Sequence, residues 1–273
     1  PGAAVVGQLH KPIFNLSILV TQFAFITIAA FANLESSTGQ RNADAASCNR
    51  CNPIQIEHFK SLNPDLAIIP ELKQKNIEGL EPSSHFWTTN NHDNPSPKGL
   101  GVLAFNQVSI SELPRDEEME LYVPLRIQTE KLTFTLLAVW NFYHACKQGR
   151  FRGVRGENCL EWSALRHYSK IFDDPCPVAG DWNFGPTFSK LDFKRLVGEF
   201  SNREMKSLYH EYYDLTADLS NHSTYKSPTG HFHHLDHFFG SKRFYRNIKS
   251  FTVEDINEVI LSDHVPLILD VNL

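Results

Sequence analysis

The chain has 273 residues, of which 41% are hydrophobic and 21% charged, and a formal net charge of −5 at pH 7. That balance excludes extensive disorder, and without a linker-like stretch in the middle the length favours one large α/β unit over two small ones. The charge gives no global attraction to nucleic acid, although a carboxylate site for a divalent cation looks acidic before its metal is counted.

Residues 1–12, with Gly2, Gly7 and Pro12, read as a loose N-terminal leader, and 13–273 as one domain. Ile13 to Ala32 is the most apolar stretch, but Asn15, Ser17, Thr21, Gln22 and Thr27 interrupt it. It therefore lacks the clean run of about 20 apolar residues that a membrane span needs, and its β-branched and aromatic bias predicts one bent strand or two short ones over 13–20 and 23–31. The chain starts at Pro1, so a removed leader or tag stays open. A loop over 34–53 follows. Within it Cys48-Asn49-Arg50-Cys51 has the spacing of half a zinc site but no matching second pair, which leaves a local disulfide or two free thiols. Five cysteines without a dense framework read mostly as reduced thiols.

A helix is predicted over 54–62, with Ile56, Phe59 and Lys60 on one face, and Asn63-Pro64-Asp65 breaks it. Leu66 to Ile69 is a short buried strand that brings Glu71 to its end. Residues 81–98 form a loop with a short strand at Phe86-Trp87; strands follow at 99–105, 120–126 and 132–140, the last apolar enough for a central position. Leu160, Ala164, Leu165, Tyr168 and Phe172 predict a helix over 157–172, ended by Pro175-Cys176-Pro177, after which Val178-Ala179 delivers Asp181. A second helix is predicted over 189–208 with an interruption near Gly198, then closing strands and loops at 212–218, 224–225, 232–239, 248–253 and 267–271. Strands alternating with few helices fit two mixed sheets with helices outside. Twenty Phe and four Trp predict an aromatic core.

Two basic clusters could track a phosphate backbone or form ordinary solvated loops: Lys147, Arg150, Arg152 and Arg155, and Lys242, Arg243, Arg246 and Lys249 with Phe244 and Tyr245 between them.

Three polar strings follow short apolar runs in the C-terminal third: Gly180-Asp181-Trp182-Asn183, Leu235-Asp236-His237 and Ser262-Asp263-His264. Phosphodiester hydrolysis needs a water nucleophile, stabilisation of charge on the phosphorus oxygens and help for the leaving alkoxide. Acidic, amide and imidazole groups at strand ends suit those tasks, and hard oxygen ligands such as Glu71 suit Mg²⁺ or Mn²⁺. Asp181 and Asn183 alternate with Trp182, so both would face one side if the strand continues through them.

Taken in order with Pro70-Glu71, this set resembles the endonuclease/exonuclease/phosphatase superfamily, which includes pancreatic-type DNases, abasic-site endonucleases and sphingomyelinases. Leu137-Ala138-Val139-Trp140, Thr224-Tyr225 and Phe232 to Phe239 resemble its bacterial-type branch. The resemblance covers about residues 24–271 and implies a four-layer α/β sandwich, two packed mixed β-sheets flanked by helices. It implies that Asp181 orients or deprotonates the water and that Asn183 hydrogen-bonds the water or the phosphate. His264 then contacts the scissile phosphate, with Asp236 as its partner. Asn33, Glu71 and Asp263 are the implied metal ligands, with Glu35 a further one, and Mg²⁺ is the implied cofactor with Mn²⁺ able to replace it. Ala32 stands where the family has a tryptophan. Trp140-Asn141 occupies the place of the histidine that protonates the leaving group in DNases and sphingomyelinases, leaving Tyr143, His144 or water on the metal for that task.

The expected function is a metal-dependent phosphodiesterase on nucleic acid, a DNA endonuclease or exonuclease. A lipid or small-molecule phosphoesterase and a catalytically silent scaffold are the alternatives. The expected partner is DNA, with no membrane span, a monomeric state and a cytoplasmic location, secretion being left open.

Overall fold

A computed structural model describes residues 15–20, 53–142, 151, 154–173, 175–257 and 262–272. In chain order the elements are β1 (Asn15–Val20), α1 (Pro53–Leu62), β2 (Leu66–Lys73), α2 (Ile77–Leu80), β3 (Ser84–Thr88), β4 (Lys98–Ala104), β5 (Ser109–Glu112), β6 (Tyr122–Gln128) and β7 (Thr133–Trp140). There follow α3 (Leu160–His167), β8 (Pro177–Asp181), α4 (Lys190–Ser201), β9 (Lys206–Ser207), α5 (Leu208–Tyr212), β10 (Tyr225–Lys226), β11 (Phe232–His233), β12 (Asp236–Gly240), α6 (Lys242–Tyr245), β13 (Ile248–Val253) and β14 (Leu267–Asn272).

Two six-stranded sheets form, one in the order β13-β14-β1-β2-β4-β3 and the other β5-β6-β7-β8-β12-β9, with β10 and β11 as a separate hairpin. Each sheet is mixed: β1 and β2 pair in parallel in the first, β7 and β8 in the second. The period-two side-chain alternation of a strand explains why these central strands are apolar throughout. From β2, Leu66 and Ile68 face the core between the sheets, while Ala67 and Ile69 face outward to Phe59 of α1 and Ile77 and Leu80 of α2. On β7, Phe134, Leu136 and Ala138 face the same central core. Leu137 and Val139 turn outward to Trp162 and Leu165 of α3 and to Phe193, Leu196 and Phe200 of α4, the last three at helical spacing. Helix, sheet, sheet and helix thus make four layers, the expected sandwich.

Several boundaries differ from the sequence expectation. The strand that begins at Leu66 does not stop before Pro70: β2 runs to Lys73 through a register shift between Ile69 and Leu72 against β4, a bulge that tolerates the missing proline N–H. The helix expected over 189–208 ends at Ser201, because Glu204 turns the chain with φ 56° and β9 then adds to the edge of the second sheet. Helix α4 passes through Gly198 without interruption. The stretch 157–172 is an α-helix only over Leu160–His167, with 3₁₀ turns on both sides. On α1 the buried positions are Gln55 and Phe59, and Lys60 lies on the surface paired with Glu81. Strand β5 was not expected, being short and mostly exposed.

Among the described residues no helix is long and apolar enough to cross a membrane, and the described part of the apolar N-terminal stretch is strand β1. The strand expected over 23–31 and the Cys48/Cys51 pair lie outside the described residues.

Candidate active site

The sheets bring five strands to one edge of the sandwich. Strand β2 brings Glu71 at its bulge, β7 and β8 arrive by their C-termini with Asn141 and Asp181, and β12 and β14 leave it by their N-termini with Asp236 and, just ahead of β14, Asp263 and His264. The antiparallel register sets Asp236 directly opposite Asp181. These strands supply a rigid base, because their flanks are fully buried apolar residues.

Asp181 depends on a glycine. Gly180 has φ +146°, and a Cβ there would lie 1.8 Å from the Val139 carbonyl oxygen, so only glycine lets β8 approach β7 this closely. Strand β8 ends at Asp181, and Asn183 is left-handed with φ 52°. Side-chain alternation therefore does not align the two residues, contrary to expectation. A turn brings them together instead: Asp181 Oδ1 accepts from the Asn183 backbone N–H at 2.9 Å, and Asp181 Oδ2 accepts from Asn183 Nδ2 at 3.0 Å. Asn183 Nδ2 also donates to the Asn141 carbonyl at 2.9 Å. Asn141 is itself fixed, donating from Nδ2 to the Trp182 carbonyl at 2.8 Å and accepting from Tyr122 Oη at 2.9 Å.

Asp236 and His264 meet across 28 residues of sequence, with Nδ1 of the ring 2.8 Å from Asp236 Oδ2. Both side chains are buried. Thr224 holds the turn into β12, its hydroxyl accepting from the backbone N–H groups of Leu235 at 2.9 Å and Asp236 at 3.2 Å. The next residue, Tyr225, packs its ring against His264 with centroids 4.7 Å apart. A bridge between residues 225 and 264 ties the β10–β11 hairpin to the same edge.

The charges at this edge are coupled. Burial raises the Asp181 pKa, and repulsion from Asp236 adds to it; His264 and the Asn183 N–H oppose, Glu71 adds a further push, and the value reaches about 8. Burial disfavours the imidazolium of His264, but attraction and hydrogen bonding from Asp236, then Asp181 and Asp263, outweigh it and hold the pKa at about 9. Burial raises Tyr225 as well, followed by Asp263, Asp181 and Glu71. Five acidic and phenolic groups thus share one field with one imidazolium inside it.

That surplus of negative charge bears on the divalent cation implied by the sequence resemblance. Glu71 stands on the β2 bulge at φ 61°, and Asp263 Oδ1 is buried without a protein hydrogen-bond partner. No group of three or more His, Cys, Asp or Glu among the described residues is arranged to hold a metal. One or two carboxylates with waters suffice for Mg²⁺, so Glu71, Asp263 and the excess negative potential fit such an ion. The expected ligands Asn33 and Glu35 and the expected proton donors Tyr143 and His144 lie outside the described residues.

The basic clusters fare differently. Lys242 to Lys249 begin after Gly240, at the end of β12 away from Asp236, so this cluster lies on the far edge of the sandwich. Of the first cluster only Arg155 is described. The sequence reading missed Tyr225 as a site residue, along with Asn141 as a positioning group and Lys98, whose ammonium pairs with the Glu71 carboxylate. A Thr-Tyr pair ahead of the Asp236 strand was the available signal for Tyr225. Nothing local marks Lys98, which reaches Glu71 through the β2–β4 register.

No protein-family model matches the sequence, and no curated protein does. Solved structures do match. The endonuclease domain of TRAS1, a telomere-specific non-LTR retrotransposon, aligns with a TM-score of 0.62 at 14% identity over 95% of this chain and 99% of that one. The AP endonuclease LMAP of Leishmania major gives 0.62 at 12% identity, covering 95% and 88%. An endonuclease/exonuclease/phosphatase family protein from Leptotrichia buccalis gives 0.58 at 12% identity, covering 94% and 100%. At such identities the likeness is one of fold, and by its sheet order, layers and these neighbours the chain has the endonuclease/exonuclease/phosphatase fold.

Proposed function

We propose that the protein is a metal-dependent phosphodiesterase that hydrolyses nucleic acid, DNA foremost. The observation that carries this reading is the buried Asp236–His264 pair beside the Asp181–Asn183 turn, which sets an imidazolium and a carboxylate of raised pKa at one edge. The nuclease neighbours of the same fold support the choice of substrate.

In this reading Asn183 and Asp181 hold the attacking water, and Asp181 takes its proton as the new P–O bond forms. A base with a pKa near the working pH combines availability with proton affinity. His264, kept charged by Asp236, donates to a non-bridging oxygen and stabilises the negative charge that builds there. The bond from phosphorus to the sugar oxygen breaks, and the alkoxide takes a proton from solvent water. Glu71 and Asp263, with Asn33 and Glu35, would hold a divalent cation, which supplies Lewis-acid polarisation of the phosphate.

The test is cleavage of supercoiled plasmid by purified protein in Mg²⁺ or Mn²⁺, with and without EDTA, beside Asp181→Asn and His264→Ala. Metal-dependent nicking that both variants lose is the expected result. A folded wild-type protein that leaves the plasmid intact would sink the nuclease reading, as would variants that retain full activity.

A further inference from the structure

We infer that Lys98 is a resident counter-cation of Glu71 that exchanges partners during function: it neutralises the carboxylate in the metal-free protein and turns to a substrate phosphate once a divalent cation takes Glu71. The inference rests on the proposed function and extends it to a residue and a coupling between metal and substrate. Three observations carry it.

The first is the ion pair. Lys98 Nζ donates to Glu71 Oε2, and the two side chains are 40% and 18% exposed, so the lysine is the more solvent-accessible partner. Glu71 contributes to the field that raises Asp181, which sets this pair at the charged edge. The same carboxylate cannot give that oxygen at full strength to both an ammonium and a metal. A lysine is suited to exchange, being a compact point charge on a flexible four-carbon stem.

The second is how firmly the backbone beneath it is held. Lys98 opens β4 opposite Lys73, and its carbonyl accepts from Thr89 Oγ1 at 2.7 Å. The adjacent Gly99 admits no side chain, since a Cβ there would lie 2.1 Å from the Thr88 carbonyl oxygen. On the other strand of the bulge, Trp87 Nε1 donates to the Leu72 carbonyl at 2.9 Å. The backbones of both partners are fixed, so exchange is confined to the side chains.

The third is the company Lys98 keeps. Lys98 pairs opposite Lys73 across the β2–β4 register, and Lys75 lies in the turn that follows β2, so the three lysines line one rim beside Glu71. A site that is acidic within and lysine-edged beside Glu71 fits a polyanion whose reacting phosphate enters the centre while neighbouring phosphates stay on the rim. This rim is formed by residues 73, 75 and 98, which no run of sequence groups together.

The consequence is a pair of opposite effects. Removing the lysine charge frees Glu71 for metal and deprives the substrate of a phosphate contact. In Lys98→Met, Mn²⁺ alone, followed by calorimetry without substrate, is expected to bind tighter by up to about fivefold, the upper end for a partly exposed ion pair. Plasmid at saturating metal is expected to show a higher KM and a shallower dependence of KM on salt. Lys98→Arg should restore the salt dependence, and Glu71→Gln should weaken Mn²⁺ binding. Unchanged or weaker Mn²⁺ binding in a folded Lys98→Met, beside a wild type that binds Mn²⁺ and cleaves, overturns the exchange alone. A wild type that neither binds Mn²⁺ nor cleaves overturns the proposed function and this inference together.

Discussion

Around strand β12 lie buried histidines that share their burial and differ in their hydrogen-bond partners. On the site side, His264 has a carboxylate 2.8 Å from its ring and a pKa raised to about 9. On the core side, His234 and His237 are as deeply buried but find neutral partners. Nδ1 of His234 meets Ser220 Oγ and the His222 carbonyl at 3.1 Å each, and Nε2 of His237 lies 2.8 Å from the Phe184 carbonyl. Burial drives the His234 pKa down to about 4 and that of His237 well below its ordinary value. Desolvation is the first cause in all three. What separates them is whether a carboxylate hydrogen-bonds the ring: Asp236 accepts from His264 directly, whereas on His234 it acts only through space and burial prevails.

The largest expected effect comes from abolishing that difference. In Asp236→Asn the amide keeps the shape and removes the charge, so burial is left to act on His264 as it does on His234. The ring should then titrate below the ordinary histidine range, and at neutral pH it would be uncharged. Under the proposed function, kcat should fall by about 10²- to 10³-fold, the scale for losing one transition-state donor. NMR titration of the His264 ring in both proteins provides the independent check. A ring that still titrates near 9 in the variant would show that Asp181 and Asp263 alone keep it charged.

The core side yields a smaller effect with a definite sign. His234 has a folded-state pKa of about 4 against an ordinary 6.5, so between these values the unfolded chain binds more protons and stability falls as pH drops. The shift corresponds to ~3 kcal/mol, complete below the folded value and absent above pH 6.5. His264 and Asp181 run the other way, since their raised pKa values favour the folded state at lower pH. The comparison must therefore be made against His234→Gln and not against zero. Denaturant unfolding at pH 7 and pH 5 should show a smaller acid loss in the variant than in the wild type. Equal losses would mean that His234 is not the residue that resists protonation.

The same contrast explains what could be read from the sequence. Asp181 closes the apolar strand β8, while Asp236 opens β12 and His264 stands just ahead of β14; strand ends are where a polar side chain can leave a core, so their positions were legible. The state of each histidine was not, because it depends on a partner 28 residues away for His264 and on packing against Ser220 and Phe184 for the others. Lys98 was invisible for a similar reason, and so was the bulge that carries Glu71. The helix expected over 189–208 was overextended because Met205 and Leu208 are buried apolar residues that continue its pattern, while the turn that ends it rests on the left-handed Glu204. The Lys242–Lys249 cluster was a compositional signal only: charge runs are visible in sequence, but which edge of a sandwich they occupy follows from the topology.

A third substitution tests whether the two sides are set by Asp236 itself or by the turn that aims it. The Thr224 side chain is fully buried, and its hydroxyl accepts from two backbone N–H groups at the entrance to β12. Thr224→Val retains the branched shape and leaves both donors without that acceptor in a site closed to water. Such losses cost about 1–3 kcal/mol, so stability should fall by that amount at every pH. If the turn aims Asp236, the loss extends to His264, whose ring should titrate lower than in the wild type while His234 is unmoved. Should stability drop with the His264 titration unchanged, the β8–β12 register that sets Asp236 opposite Asp181 is sufficient to aim the carboxylate. The threonine would then serve only to satisfy the backbone, and the asymmetry between the two sets of histidines would be a property of the sheet.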